Sequence, residues 1–222
     1  MNKRLIKNKK NILREFDKEK YGYLLRKINN KTSLEKCDEL INNDNLKKHS
    51  FKRRLDKKII EKYIYKYSKG SGTILELGCG YGSIGLYLLN SNKFLKKKFI
   101  FLDISKNGIL ILIKIAANLN INKNKFITGF IDIYNCILDK KVNIPKNSII
   151  FTTSAMHYRK KHNRKFINFF LGFSFKYSIF FEPIYEHNQK NKNISDYIKK
   201  NNYFQNFLKI LKKENKIKII FE

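Results

Sequence analysis

The segment Thr73-Ile-Leu-Glu-Leu-Gly-Cys-Gly-Tyr-Gly-Ser-Ile-Gly85 constrains this chain more than any other. Ile74-Leu-Glu-Leu77 is a short apolar run with glycine on both sides, the pattern of a buried strand in a parallel sheet. Glu76 stands near its carboxyl end. Gly78, Gly80 and Gly82 follow at a spacing of two, where the backbone can turn sharply and approach a ligand that a Cβ would hold off. A helix beginning near Gly82 would aim its N–H groups and the positive end of its dipole at that ligand. Strand, glycine loop and helix in immediate succession make a nucleotide-type cofactor loop.

Two cofactor classes use such a loop. Gly80-Tyr-Gly82-Ser-Ile-Gly85 satisfies G-x-G-x-x-G, and Asp103 follows Gly82 by 21 residues, about where a dinucleotide site places its ribose-binding acid. Against an oxidoreductase stand the acid Glu76 and the extra Gly78 ahead of that pattern, and the seventy or so residues before the loop. The series Glu76-x-Gly78-x-Gly80-x-Gly82 resembles motif I of the class I S-adenosylmethionine-dependent methyltransferases. The resemblance covers residues 71–222, and only this first motif is specific. It implies a doubly wound, mostly parallel α/β sheet (the Rossmann-like methyltransferase fold) with S-adenosylmethionine as cofactor, and a glutamate facing the methionine part of it.

The rest of the chain falls into register behind the loop. Lys98-Phe-Ile-Phe-Leu-Asp103 reads as a second strand, and Asp103 at its tip could accept hydrogen bonds from two ribose hydroxyls or sit in the N-cap neighbourhood of the next helix, with Ser105. Lys106 to Leu119 is a helix apolar nearly all round. Lys125-Phe-Ile-Thr128 is a third strand, followed by Gly129-Phe-Ile-Asp132-Ile133; Ser148 to Thr153 and Tyr177 to Phe181 are a fourth and fifth, and Lys216 to Phe221 a sixth. A helix from Arg164 to Leu171 and a longer helical segment from Ser195 to Lys213 complete the alternation. The family sheet has seven strands, so one is unaccounted for: it is missing, mis-registered, or lost from a shortened protein. The resemblance places the cofactor among Glu76, Gly78, Cys79, Gly80, Gly82, Asp103, Ile104, Asp132, Ile133 and Thr152, with Asp132 at the adenine amino group and Ile133 on the ring face. Cys79 reads as a small buried residue of the loop and not as a nucleophile.

Methyl transfer needs an acceptor atom held in line with the donor, and a hydroxyl acceptor must also lose its proton. His157, Glu182 and His187, at the tips of the fourth and fifth strands, are the candidate bases, with His157 first; the alternative role for Glu182 is a hydrogen bond to the backbone of the glycine loop. Tyr158 and Tyr185 are candidates to line an acceptor pocket. The place after the fourth strand holds Thr152-Thr-Ser-Ala-Met156, without the proline and aromatic of base-modifying amino-methyltransferases, and the Pro-Cys nucleophile of cytosine-C5 enzymes is absent. An oxygen on a small molecule or on a glycan sugar is the expected acceptor. The alternatives are an RNA methyltransferase using Lys-rich N-terminal helices on phosphates, and a non-catalytic subunit with a methyltransferase fold.

Composition bounds the partners. The net charge of +30 would attract nucleic acid or anionic membrane. Yet Lys, Asn and Ile make up 100 of 222 residues, all with A/T-rich codons, and Arg is scarce, so genome composition accounts for the charge better than nucleic-acid binding does. No apolar run reaches membrane-spanning length, and the basic start lacks the apolar stretch of a secretory signal. Cys37, Cys79 and Cys136 are far apart, which suits a reducing, cytoplasmic compartment, and the four histidines have no metal-ligand spacing. Oligomeric state is open. Residues 1–70 read as a helical extension or cap and 71–222 as the cofactor-binding domain. In the extension, Thr32-Ser-Leu-Glu35 is a capping-box candidate, and Lys52 to Tyr67 carries an amphipathic stripe of Leu55, Ile59, Ile60, Tyr63, Ile64 and Tyr67 that packs on the sheet.

Overall fold

Side-chain alternation along each strand sorts the sheet's apolar residues into two cores. The computed structural model describes residues 21–29, 31–43, 56–156, 164–182, 192–201, 207–214 and 217–220. Its strands are β1 (Thr73–Leu77), β2 (Lys98–Asp103), β3 (Phe126–Asp132), β4 (Ile137–Leu138), β5 (Ile149–Thr153) and β6 (Tyr177–Phe181). They form one sheet in the order β4-β3-β2-β1-β5-β6. All neighbours run parallel except β4, which pairs antiparallel with the end of β3. Every residue of β1 is buried, as a central strand covered on both sides must be.

One face of the sheet presents Ile74, Phe99, Phe101, Ile149 and Phe151. Against it pack α1 (Gly22–Lys27), α2 (Leu34–Asn43), α3 (Lys57–Tyr67), α4 (Ser83–Leu89) and α5 (Lys106–Asn118). The other face presents Leu75, Leu77, Ile100, Leu102 and Ile150 to α6 (Arg164–Leu171) and α8 (Phe207–Leu211). There Phe166, Phe170, Phe180 and Phe207 form a chain of ring contacts 5.0–6.4 Å apart. Phe166, Phe170 and Phe207 are buried, and a fully buried Phe side chain contributes about 1.5–3 kcal/mol. A further helix, α7 (Lys192–Asn201), precedes α8. The chain winds from β1 outward through β2 to β3, then returns to the other side of β1 for β5 and β6. That reversal puts the switch point between the carboxyl ends of β1 and β5, where open α/β sheets hold their ligands.

Several elements differ from the sequence expectation. The third strand runs on to Asp132 and turns into a two-residue hairpin strand, β4. The last expected strand carries no ladder at 217–220, the part of it described, so β6 is the outer strand among the described residues. Ile217 and Ile219 instead line a groove of about 1310 Å3 with Tyr63, Tyr67 and Phe180, along the outer side of β6 and away from the glycine loop. The helix α5 is not buried all round: Ile111, Leu112, Ile115 and Ala116 face the core while Leu110 and Ile113 are exposed. On α3 the buried stripe is Ile60 and Ile64, with Ile59 half exposed. Finally, Ser33 and not Thr32 caps α2, accepting from the Lys36 N–H at 3.2 Å. Thr32 is taken by the preceding turn, where its hydroxyl accepts from the Asn29 N–H and donates to Asn29 Oδ1.

Candidate active site at the carboxyl edge of the sheet

The glycine loop leaves β1 through three residues of positive φ: Gly78 at 70°, Gly80 at 57° and Gly82 at 76°. L side chains are strained there, so the path requires glycine. Space makes the same demand. A Cβ at Gly78 would lie 2.3 Å from the Ala155 Cβ, and one at Gly80 would lie 2.5 Å from the Tyr21 hydroxyl. The loop is anchored below by its own backbone, Gly78 and Cys79 donating to the Leu102 carbonyl at 2.7 and 3.1 Å, and Gly82 donating to the Cys79 carbonyl at 2.8 Å.

The two acids of the motif are inward-facing. Glu76 is 1% exposed, and its Oε2 accepts from the Gly85 N–H at 3.1 Å. Gly85 is itself obligatory here, because a Cβ on it would sit 2.3 Å from that oxygen and 2.2 Å from the Phe101 ring. Burial pushes the Glu76 carboxyl up to about 8, against the bonds from Gly85 and from the Thr153 side chain, so it is largely neutral at pH 7. Glu76 therefore joins β1, β5 and α4, and does not present a bare charge to the loop. Asp103 is 9% exposed; its Oδ2 accepts from the Gly80 N–H and its Oδ1 from the Ser105 N–H, both at 2.7 Å. Ser105 in turn caps α5 through the Gly108 N–H. Asp103 thus ties the crest of the loop to the tip of β2. Cys79 is buried, and burial followed by the charge of Asp103 holds its thiol far above the usual range, which rules out thiolate chemistry.

The remaining candidates distribute unevenly. Asp132 closes the turn after β3, accepting from the backbone of Tyr134 and Asn135 and from the Asn135 amide. Ile133 beside it reaches to 3.9 Å from the position of a Gly78 Cβ, which brings that tip to the loop. Ile104 lies half-buried between Asp103 and the cap Ser105. Thr152 is fully buried opposite Leu77 in the ladder, on the face away from Glu76; it is Thr153 that bonds to Glu76. Glu182 bonds to the segment after β5. Its Oε1 accepts from the Ala155 and Met156 N–H groups at 2.8 and 3.0 Å, fixing the segment whose Ala155 abuts Gly78. His157, Tyr158, Tyr185 and His187 lie outside the described residues. Among the described residues no three His, Cys, Asp or Glu side chains gather as a metal site would require, and no helix is long and apolar enough to cross a membrane.

Sequence reasoning missed the upper side of the loop. Asp38 of α2 accepts from the Tyr81 hydroxyl and, at 2.7 Å, from the Ser83 hydroxyl, while Lys57 of α3 pairs with its other oxygen at 2.7 Å. Tyr21 at the start of α1 covers Gly80. Partners 43 and 45 residues apart leave no local signal.

Strand order, the glycine loop after β1 and acids at the tips of β1, β2 and β3 together define the architecture. The chain has the class I methyltransferase fold. In agreement, a Staphylococcus aureus protein proposed to be a caffeoyl-CoA O-methyltransferase superposes with a TM-score of 0.55 at 15% identity, over 82% of this chain and 83% of its own. Two further structures overlap only in part: the glycopeptide N-methyltransferase MtfA complexed with sinefungin (TM-score 0.38, 13% identity, 52% of this chain and 42% of its own) and the small RNA methyltransferase HEN1 (0.38, 20%, 50% and 14%). No family model and no curated protein sequence matches the chain.

Proposed function

We propose that this chain is an S-adenosylmethionine-dependent methyltransferase whose acceptor is an oxygen of a small molecule or of a glycan sugar. The observation that carries the reading is the loop Gly78–Gly82, held in a positive-φ path between Glu76 and Asp103 at the switch point of the sheet. The residue chemistry fits the cofactor: Gly78, Gly80 and Gly82 leave the loop backbone without side chains at those positions, and Asp103 supplies at the tip of β2 a carboxylate, the group that accepts hydrogen bonds from ribose hydroxyls. The glycine loop would cradle the amino-acid part, Asp103 would hold the ribose, and the Asp132–Ile133 tip the adenine. When bound, S-adenosylmethionine supplies a methyl group made electrophilic by its sulfonium.

What the chain must add is position and a proton acceptor. Glu182, through Ala155 and Met156, sets the segment that leads into His157. In this reading His157 takes the acceptor's proton, and Glu182 is a positioning residue. The acids Asp38, Asp103, Asp132 and Glu182 lie on the carboxyl edge, which disfavours a polyanionic acceptor there.

The test is calorimetric titration with S-adenosylmethionine, S-adenosylhomocysteine and NAD in parallel. Micromolar binding of the first two and none of NAD is expected, with a loss of about tenfold or more in Asp103→Ala. Binding of NAD alone would return the loop to the oxidoreductases. His157→Ala with full turnover on an identified acceptor would remove that residue as the base.

A further inference from the structure

The glycine loop is not closed by the sheet's own elements. Its two outward side chains, Tyr81 and Ser83, flank Gly82 and both donate to one oxygen of Asp38, on a helix that precedes the sheet in sequence. The other oxygen of Asp38 takes Lys57. A partly buried carboxylate thus gathers donors from three elements: the loop, the first residue of α4, and the first turn of α3. Tyr81 is held in its donating, protonated form, since burial and then Asp38 itself push its phenol well above the usual range. The same helix pair supplies Tyr21 over Gly80. Farther from the loop, Asn118 of α5 donates to the carbonyls of Asn29 and Thr32, both at 2.9 Å, and so pins the turn between α1 and α2 at a second point.

We propose that Asp38 is a positioning residue that latches the helix pair α1–α2 onto the cofactor loop, so that the ligand-ready shape of the loop depends on the N-terminal helices being seated. The inference rests on reading this loop as the cofactor site. Two features separate it from plain packing. The bonds fall on the two side chains beside the tightest turn of the loop and on no residue deeper in α4. They are also charge-assisted, hence more directional than the apolar contacts of Leu24, Ile28 and Leu34 with the shared core. Seating therefore fixes loop geometry as well as helix position. Asp38 bonds to Tyr81, Ser83 and Lys57, so it reaches the reaction through the loop and the helices that flank it.

The experiment compares the full-length wild type with Asp38→Ala, Asp38→Asn, Tyr81→Phe and, as a packing control, Asn118→Ala. Two readouts are taken: S-adenosylhomocysteine affinity by calorimetry, and ligand-free hydrogen exchange of the amides from Cys79 to Gly85. Losing two charge-assisted bonds should weaken Asp38→Ala by about tenfold or more and speed exchange at the loop. Tyr81→Phe, which removes one bond and keeps the ring, should lose less. Asp38→Asn keeps an oxygen for both hydroxyls but loses their charge assistance and sets an amide against Lys57, so it should recover only part of the affinity. Asn118→Ala frees the turn between α1 and α2 but leaves the Asp38 bonds in place, so it should leave loop exchange unchanged. The latch is overturned if Asp38→Ala leaves loop exchange unchanged, or if Asn118→Ala matches its loss of affinity. Absence of wild-type binding would defeat the cofactor reading by itself, while the exchange data, which need no ligand, would still decide the latch.

Discussion

A carboxyl group buried as Glu76 is makes the protein's stability a function of pH. In the unfolded chain it titrates near 4.5, whereas in the fold burial raises it to about 8. Between those values the folded protein holds a proton that the unfolded chain has released. Stability from this group is therefore fully present below pH 4.5 and is lost progressively as pH rises through 8. Glu76→Gln keeps an acceptor for the Gly85 N–H but cannot ionise. Thermal midpoints taken from pH 5 to 9 should show the wild type falling relative to Glu76→Gln, the gap opening toward pH 8 and then levelling; parallel curves would refute the assignment. Gly85 offers a second test at the same point. Gly85→Ala puts a Cβ within 2.3 Å of both Phe101 and Glu76, whereas nothing lies within 4 Å of a Cβ at Gly72. Denaturant unfolding should show Gly85→Ala losing about 2 kcal/mol or more and Gly72→Ala changing by less than about 0.5 kcal/mol.

At the scale of elements, what was legible follows from burial. Strands covered on both faces read as apolar runs, so Thr73–Leu77, Lys98–Asp103 and Ile149–Thr153 stand in the sequence almost to the residue. Elements decided by distant partners do not. The hairpin strand β4 is set by the turn that Asp132 and Asn135 close, and the alternation around Ile217 and Ile219, which reads as a strand, serves a groove wall instead. The cap of α2 shows the competition at its smallest. Thr32-x-x-Glu35 is a proper capping-box spelling, but Thr32 is engaged with Asn29, and the neighbouring Ser33 takes the helix end. Ser33→Ala should therefore cost about 1 kcal/mol. Thr32→Ala should cost at least as much, because it opens the turn that Asn118 holds. If Ser33→Ala proves harmless in denaturant unfolding while Thr32→Ala does not, the cap assignment is reversed. The loop of the candidate site was legible for a third reason: its glycines and acids are contiguous, while the side chains that cover it, Tyr21 and Asp38, arrive from another part of the chain.

Across the whole molecule the basic charge is ordered in a way composition alone does not require. All the parallel strands are entered at one edge of the sheet, through residues 66–72, 90–98, 119–125, 145–148 and 172–176. Those stretches hold ten lysines and no Asp or Glu, whereas at the whole chain's ratio of 48 basic to 18 acidic residues ten lysines would bring about four acids. Several have internal partners: Lys97 on the carbonyls of Ser68 and Ser71, Lys125 on that of Leu95, Lys93 on Glu61. Lys96 and Lys98 are exposed beside them. Like charges this close repel in the folded state, and salt at physiological strength screens exposed charges beyond about 8 Å. Lys96→Glu with Lys98→Glu should therefore raise the thermal midpoint at low salt, and the gain should shrink as sodium chloride is added. The candidate active site lies at the opposite edge of the same strands, so S-adenosylhomocysteine affinity should be the same in this variant as in the wild type. A stability gain that persists in high salt would mean the substitutions act through packing, and a parallel loss of affinity would mean that the lysine edge and the cofactor edge are coupled.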